Sequence, residues 1–138
     1  MKLIRAGALF GFLVWAAGTA FLVPLGRFVF GPENRLPVAL SATLLVVATF
    51  AGVFVFARRI LAREGTPNFE KAALLGVAAC LPGLSLDGAL YAFNGGRYPG
   101  LDPTASGAMS AGLLFAYAAA LLATLTAGGP GSASLETL

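Results

Sequence analysis

One carboxylate stands where a carboxylate is costly. Asp87 falls within residues 81–103 (LPGLSLDGALYAFNGGRYPGLDP), the outer half of an apolar stretch and the loop after it, and is the only formally charged residue deep inside an apolar segment. Insertion scales put a charge at the centre of a membrane helix at roughly 2.5–3.5 kcal/mol, and acids retained there mark ion, proton or substrate paths. The chemistry Asp87 suggests is therefore binding of a proton, a cation or a cationic solute. Gly76, Cys80, Gly83, Asp87, Tyr91 and Asn94 recur at spacings of 4, 3, 4, 4 and 3, one helical stripe made wholly of small or polar residues. Tyr91 and Asn94 thereby join Asp87 as binding candidates. Tyr117, in the last apolar run, stands where it could reach across to them.

The partner of Asp87 decides what it does. Arg27 is the first choice: if the first helix continues past Pro24, the long Arg27 stem can bend inward to a carboxylate about two turns down. Arg97 is the other basic residue of the outer connections. Asp87 precedes the Asn94 break by seven residues, ~10 Å along a helix, below the outer interface and short of the midplane. Two readings stay open. In one, the carboxylate is an interhelical contact; in the other, it lines an outward-facing cavity. Trp15, near the middle of the first apolar run and away from the interfacial belts, reads as packing.

Other chemistries find little purchase. The chain has no His and one Cys, Cys80, so the usual haem and zinc ligands, CxxC redox chemistry and an internal disulfide are all missing. No nucleophile–base pair and no second carboxylate at membrane depth accompany Asp87. The expectation is a protein that is not an enzyme and carries no cofactor or metal.

The elements that must hold these residues follow from hydropathy. Of 138 residues, 58% are hydrophobic and 11% charged, and the mean hydropathy is +0.85, a composition of the membrane class. Residues 6–23 run without a charge behind Lys2 and Arg5. They resemble a secretory signal with AGTA as its cleavage site, yet the run is long enough to span, and three more apolar segments follow. It is read as the first span, with Gly7 and Gly11 forming a GxxxG pair. Pro24 and Gly26 end or kink it, and residues 27–37 form a short polar connection.

The second span covers about 38–56, continuous apolarity overriding its β-branched and aromatic content. Thr66-Pro67 supplies a cap and a first-turn proline for the third span, about 72–93, in which Pro82 should bend or open the helix. Asp102-Pro103 repeats the start signal for the fourth span, about 107–125. There Ala108, Gly112, Ala116 and Ala120 form a small-residue face. Residues 128–138 form a low-complexity tail, expected to be disordered, of which GSASLETL resembles a cloning remnant.

Six of the nine Lys and Arg (Lys2, Arg5, Arg58, Arg59, Arg63, Lys71) flank one side of these spans, and Arg27, Arg35 and Arg97 flank the other. The positive-inside rule then places both termini and the 58–71 connection in the cytoplasm. The fold class is an all-α, integral membrane four-helix bundle, a single domain over residues 1–127 in the cytoplasmic (inner) membrane. Its short connections lead us to expect sequential helices as antiparallel neighbours. The lipid bilayer is the first partner. The small-residue faces suggest a homodimer, and no basic stripe suggests nucleic acid.

Pro82-Gly83, Leu86-Asp87, Tyr98-Pro99 and an Ala/Leu-rich last span with Tyr117 together resemble a family of short, uncharacterised bacterial four-span membrane proteins. The resemblance covers mainly residues 82–122 and departs at Gly100, where that family's pattern has Asn. It implies the four-span architecture and brings no activity. Function is thus expected in one of two classes: a small carrier or channel using Asp87, or a structural or accessory membrane protein in which Asp87 only joins helices.

Overall fold

The computed structural model describes residues 1–30, 38–65 and 68–129. They form four helices: α1 (Lys2–Phe30), α2 (Val38–Arg63), α3 (Phe69–Phe93) and α4 (Pro103–Ala127). All four are long and apolar enough to cross a membrane, and among the described residues there is no strand. The all-α four-helix bundle read from hydropathy is the observed fold. Its helices outrun the expected spans at several ends. Hydropathy marks only the lipid-facing length, whereas backbone hydrogen bonding continues into the polar flanks.

Both internal prolines sit within continuous helix. Pro24 does not end α1, which carries on to Phe30 and takes Arg27 with it. Pro82 likewise lies inside α3. A helix in lipid tolerates proline where neighbouring helices supply contacts, since unravelling would expose further backbone groups to hydrocarbon. The start of α3 also differs from expectation. Asn68 caps it, its side chain accepting from the Lys71 N–H at 2.8 Å; Thr66 and Pro67 lie outside the described residues. Asp102 caps α4 as its sequence suggests, Oδ1 accepting from Thr104 and Ala105 at 2.8 and 2.9 Å. The 31–37 connection with Arg35, and the tail from residue 130, lie outside the described residues.

Helix order in space is the principal departure. α1 packs mainly on α3 and α2 mainly on α4, while α3 and α4 form the one well-packed consecutive pair. Cβ atoms built at Gly7 would meet Ala78 and Leu75, and one at Gly11 would fall on the Ala79 carbonyl. Further along, Trp15 reaches Asp87. Residue numbers rise together, so α1 and α3 run parallel. Gly112 faces Phe30 and Ala42, and Val53 clusters with Ala120 and Ala123, which makes α2 and α4 parallel as well. Gly76 faces Thr124 and Gly83 faces Tyr117, the opposed register of an antiparallel pair. Close approach is decided by where small residues lie, and Gly7, Gly11 and Gly112 bring non-consecutive helices together. Connection length alone does not see this.

Buried clusters close both ends. At the end holding the N-terminus, Leu3, Ala57, Leu61, Ala72, Leu75 and Ala127 form one core, and Phe10 stacks on Phe56 at 3.7 Å between ring centroids, joining α1 to α2. At the other end, Leu22, Phe30, Tyr98, Leu101, Ala105 and Met109 form a second. The 94–102 connection folds inward to complete it. Gly95, Gly96 and Gly100 take positive φ and let the chain turn there, and the Tyr98 N–H donates to Ser106 Oγ at 2.9 Å.

Candidate functional site

Between the two closed ends, Asp87 carries the polar chemistry of the interior. It is 8% exposed. Trp15 Nε1 on α1 donates to its Oδ1 at 2.9 Å, and the Tyr117 hydroxyl on α4 donates to Oδ2 at 2.6 Å. One carboxylate thereby ties three helices. Each donor has a local reason for its place. Tyr117 lies in a notch on α3, because a Cβ at Gly83 would run into its hydroxyl. Trp15 rises one turn past the close Gly11–Ala79 contact, which brings α1 near enough for the indole to reach α3. Cys80 donates weakly to the Tyr117 carbonyl, with Sγ at 3.8 Å, and adds a second tie between α3 and α4.

The expected residues divide. Asp87 and Tyr117 come together. Tyr91 stands a turn nearer the C-terminal end of α3, 39% exposed, edge-on to Tyr98 with ring centroids 5.8 Å apart. Asn94 does not join the site: it is the exposed C-cap of α3. Arg27 is not the partner of Asp87. Its guanidinium lies over the Phe28 ring, 4.7 Å from the centroid. Extending α1 beyond Pro24 carries Arg27 to the C-terminal end of the helix, beside an apolar cluster and away from the carboxylate.

Trp15 is the residue whose role sequence reasoning missed. The signal was present. A buried indole N–H needs an acceptor, and Asp87 is the strongest side-chain acceptor at membrane depth. Tyr98 was likewise seen only as part of a motif, yet it is the residue by which the 94–102 connection is buried against the bundle. Outside the spans, its phenol is pushed up by burial first, then by the charge of Asp87 and by Tyr91.

Two cavities meet at the carboxylate. The central one, about 130 Å³, is bounded by all four helices. Its wall is apolar and aromatic (Phe10, Leu22, Val53 and Met109 among others), with Thr19, Thr49 and the hydrogen-bonded group of Asp87, Trp15 and Tyr117 as its polar members. The second, about 370 Å³, is a more open cleft between α3 and α4 lined by Leu84, Tyr91, Tyr98, Ser110 and Leu114. Asp87, Leu113 and Tyr117 belong to both. The carboxylate therefore lies where a half-open central cavity and a cleft adjoin. Among the described residues no three His, Cys, Asp or Glu side chains converge.

The chain matches no protein-family model, no curated protein and no solved structure.

Proposed function

We propose that this is a small membrane carrier or channel in which Asp87 takes up a proton or a cation within the bundle. The observation that carries the reading is that Asp87 is held by two neutral donors and sits on the wall of two cavities. Neutral donors satisfy the oxygens without cancelling the charge, and an uncancelled charge at this depth is unfavourable. A proton or an incoming cation completes the site, and exchange between the two is the elementary act of a carrier. The bundle lies in the cytoplasmic membrane of a bacterium with both termini inside, as the positive-inside rule orders it. One chain suffices for the site. The Gly and Ala faces from which a homodimer is expected are filled within the protomer, so an assembly of copies would use other surfaces.

Trp15, the sole tryptophan, donates to Asp87 and reports on it. We expect its emission to titrate reversibly with pH while the protein stays folded, the transition vanishing in Asp87→Asn. In liposomes, Asp87→Asn should fold and lose cation or proton flux. An emission that does not titrate, an absence of flux in the unmodified protein and a marked loss of thermal stability in Asp87→Asn would together favour the second reading. That reading has its own support in the three-helix tie: Asp87 as a purely structural clamp in an accessory membrane protein.

A further inference from the structure

The two cavities differ from what an inorganic ion needs. A metal cation of the Ca²⁺ type takes six to eight oxygen ligands, and Mg²⁺ a near-ideal octahedron. Here one carboxylate, already holding two hydrogen bonds, faces an apolar and aromatic chamber. In volume, about 130 Å³, the half-open central chamber approaches the engineered apolar cavity of about 150 Å³ that binds benzene. Such a space accepts an apolar body of about six heavy atoms, with a single positive charge at its edge.

That edge is built for an organic cation. Carboxylate, indole and phenol lie together there, and aromatic faces attract ammonium groups at the same place where the carboxylate neutralises them. Access fits as well. The α3/α4 cleft leads to Asp87 between Leu84 and Leu114, which are 40% and 64% exposed on membrane-spanning helices. Exposed leucines at that depth face lipid, so the cleft opens sideways into the bilayer. A molecule that partitions into the membrane reaches Asp87 by this route, whereas a hydrated ion does not. Zwitterionic lipid headgroups fit less well, because none of the residues lining the cleft carries a positive charge for a phosphate.

From these observations we infer that the site binds amphiphilic organic monocations: a quaternary or protonated amine at Asp87, flanked by Trp15 and Tyr117, with its apolar body in the central chamber. The inference rests on the reading of Asp87 as a cation site and names the class of cation.

The test uses the full chain in maltoside micelles, with Trp15 emission as the readout. Benzyltrimethylammonium is the probe, neopentylbenzene its uncharged isostere, and Na⁺ and Mg²⁺ the inorganic controls. We expect saturable binding of the quaternary amine, at least tenfold weaker in Asp87→Asn, and no Asp87-dependent response to the others. Gly18→Leu supplies a second variant. Gly18 lines the chamber and a Cβ there meets nothing, so the larger side chain should fold, leave the Trp15 pH transition in place and abolish binding of the amine. Equal binding of the isostere, competition by phosphatidylcholine at the same mole fraction, or undiminished binding by a folded Gly18→Leu protein would each overturn the inference. A pH transition of Trp15 without any response to the amine would overturn it too, while leaving Asp87 as a proton site. Loss of both responses would remove the carrier reading as well.

Discussion

At the scale of single residues, the interior is governed by how one carboxylate is satisfied. Each of its oxygens holds one neutral donor, from Trp15 and from Tyr117. Removing a donor beside a buried acceptor costs about 1–3 kcal/mol, more when the acceptor is charged. Tyr117→Phe keeps the ring and deletes one donor, and Trp15→Phe deletes the other while also shrinking the ring, so each should lower equilibrium stability in mixed micelles by at least about that amount. Because both act on one carboxylate, their combination should depart from additivity, which a double-mutant cycle measures. Wild-type stability in both variants would mean that neither contact holds the bundle. Asp87 itself was legible, since a lone charge in an apolar run stands out. Of its partners, Tyr117 was legible as a polar group able to reach across, but Trp15 was not, because charge complementarity points to Arg27, whereas distance along an unbroken α1 excludes it. What the sequence pattern lacks is the lateral placement of α1 against α3, and that placement brings Trp15 to Asp87.

At the scale of the helix, close approach is set by a few positions without side chains. A Cβ at Gly11 would fall on the Ala79 carbonyl, backbone that cannot swing aside, while a Cβ at Gly18 meets nothing. Ala gains about 1 kcal/mol over Gly in helix propensity, and overpacking costs typically 1–3 kcal/mol. Gly11→Ala should therefore lower the melting temperature and Gly18→Ala should hold or raise it, despite identical chemistry on the same helix. A second test concerns the closure at the 94–102 connection. The Tyr98 N–H donates to the buried Ser106 Oγ. Ser106→Ala strands it, at about 1–3 kcal/mol, and should speed hydrogen exchange around Tyr98 more than in the middle of α3. Hydropathy made all four helices legible. It did not tell which would pair, since GxxxG and Ala-rich faces announce close contact without naming the contacting helix.

At the scale of the whole molecule, the parallel pairing of α1 with α3 and of α2 with α4 makes orientation a single choice. Once α1 is placed, the 94–102 connection must emerge on the side where α1 ends, and the end of α2 on the side where α1 begins. The basic residues at 58, 59, 63 and 71 favour the cytoplasm for the latter. Asn94 and Glu64 are exposed at opposite ends of the bundle, and Cys80 is buried, so Cys80→Ser provides a background for single-cysteine labelling. On intact cells, a membrane-impermeant maleimide should modify Asn94→Cys and spare Glu64→Cys, with Glu64→Cys labelled only after permeabilisation. The reverse pattern would turn the molecule over, and the α3/α4 cleft beside Asp87 would then face the inner leaflet. Labelling of both positions on intact cells would mean mixed insertion, and the 6:3 division of basic residues would no longer account for the orientation.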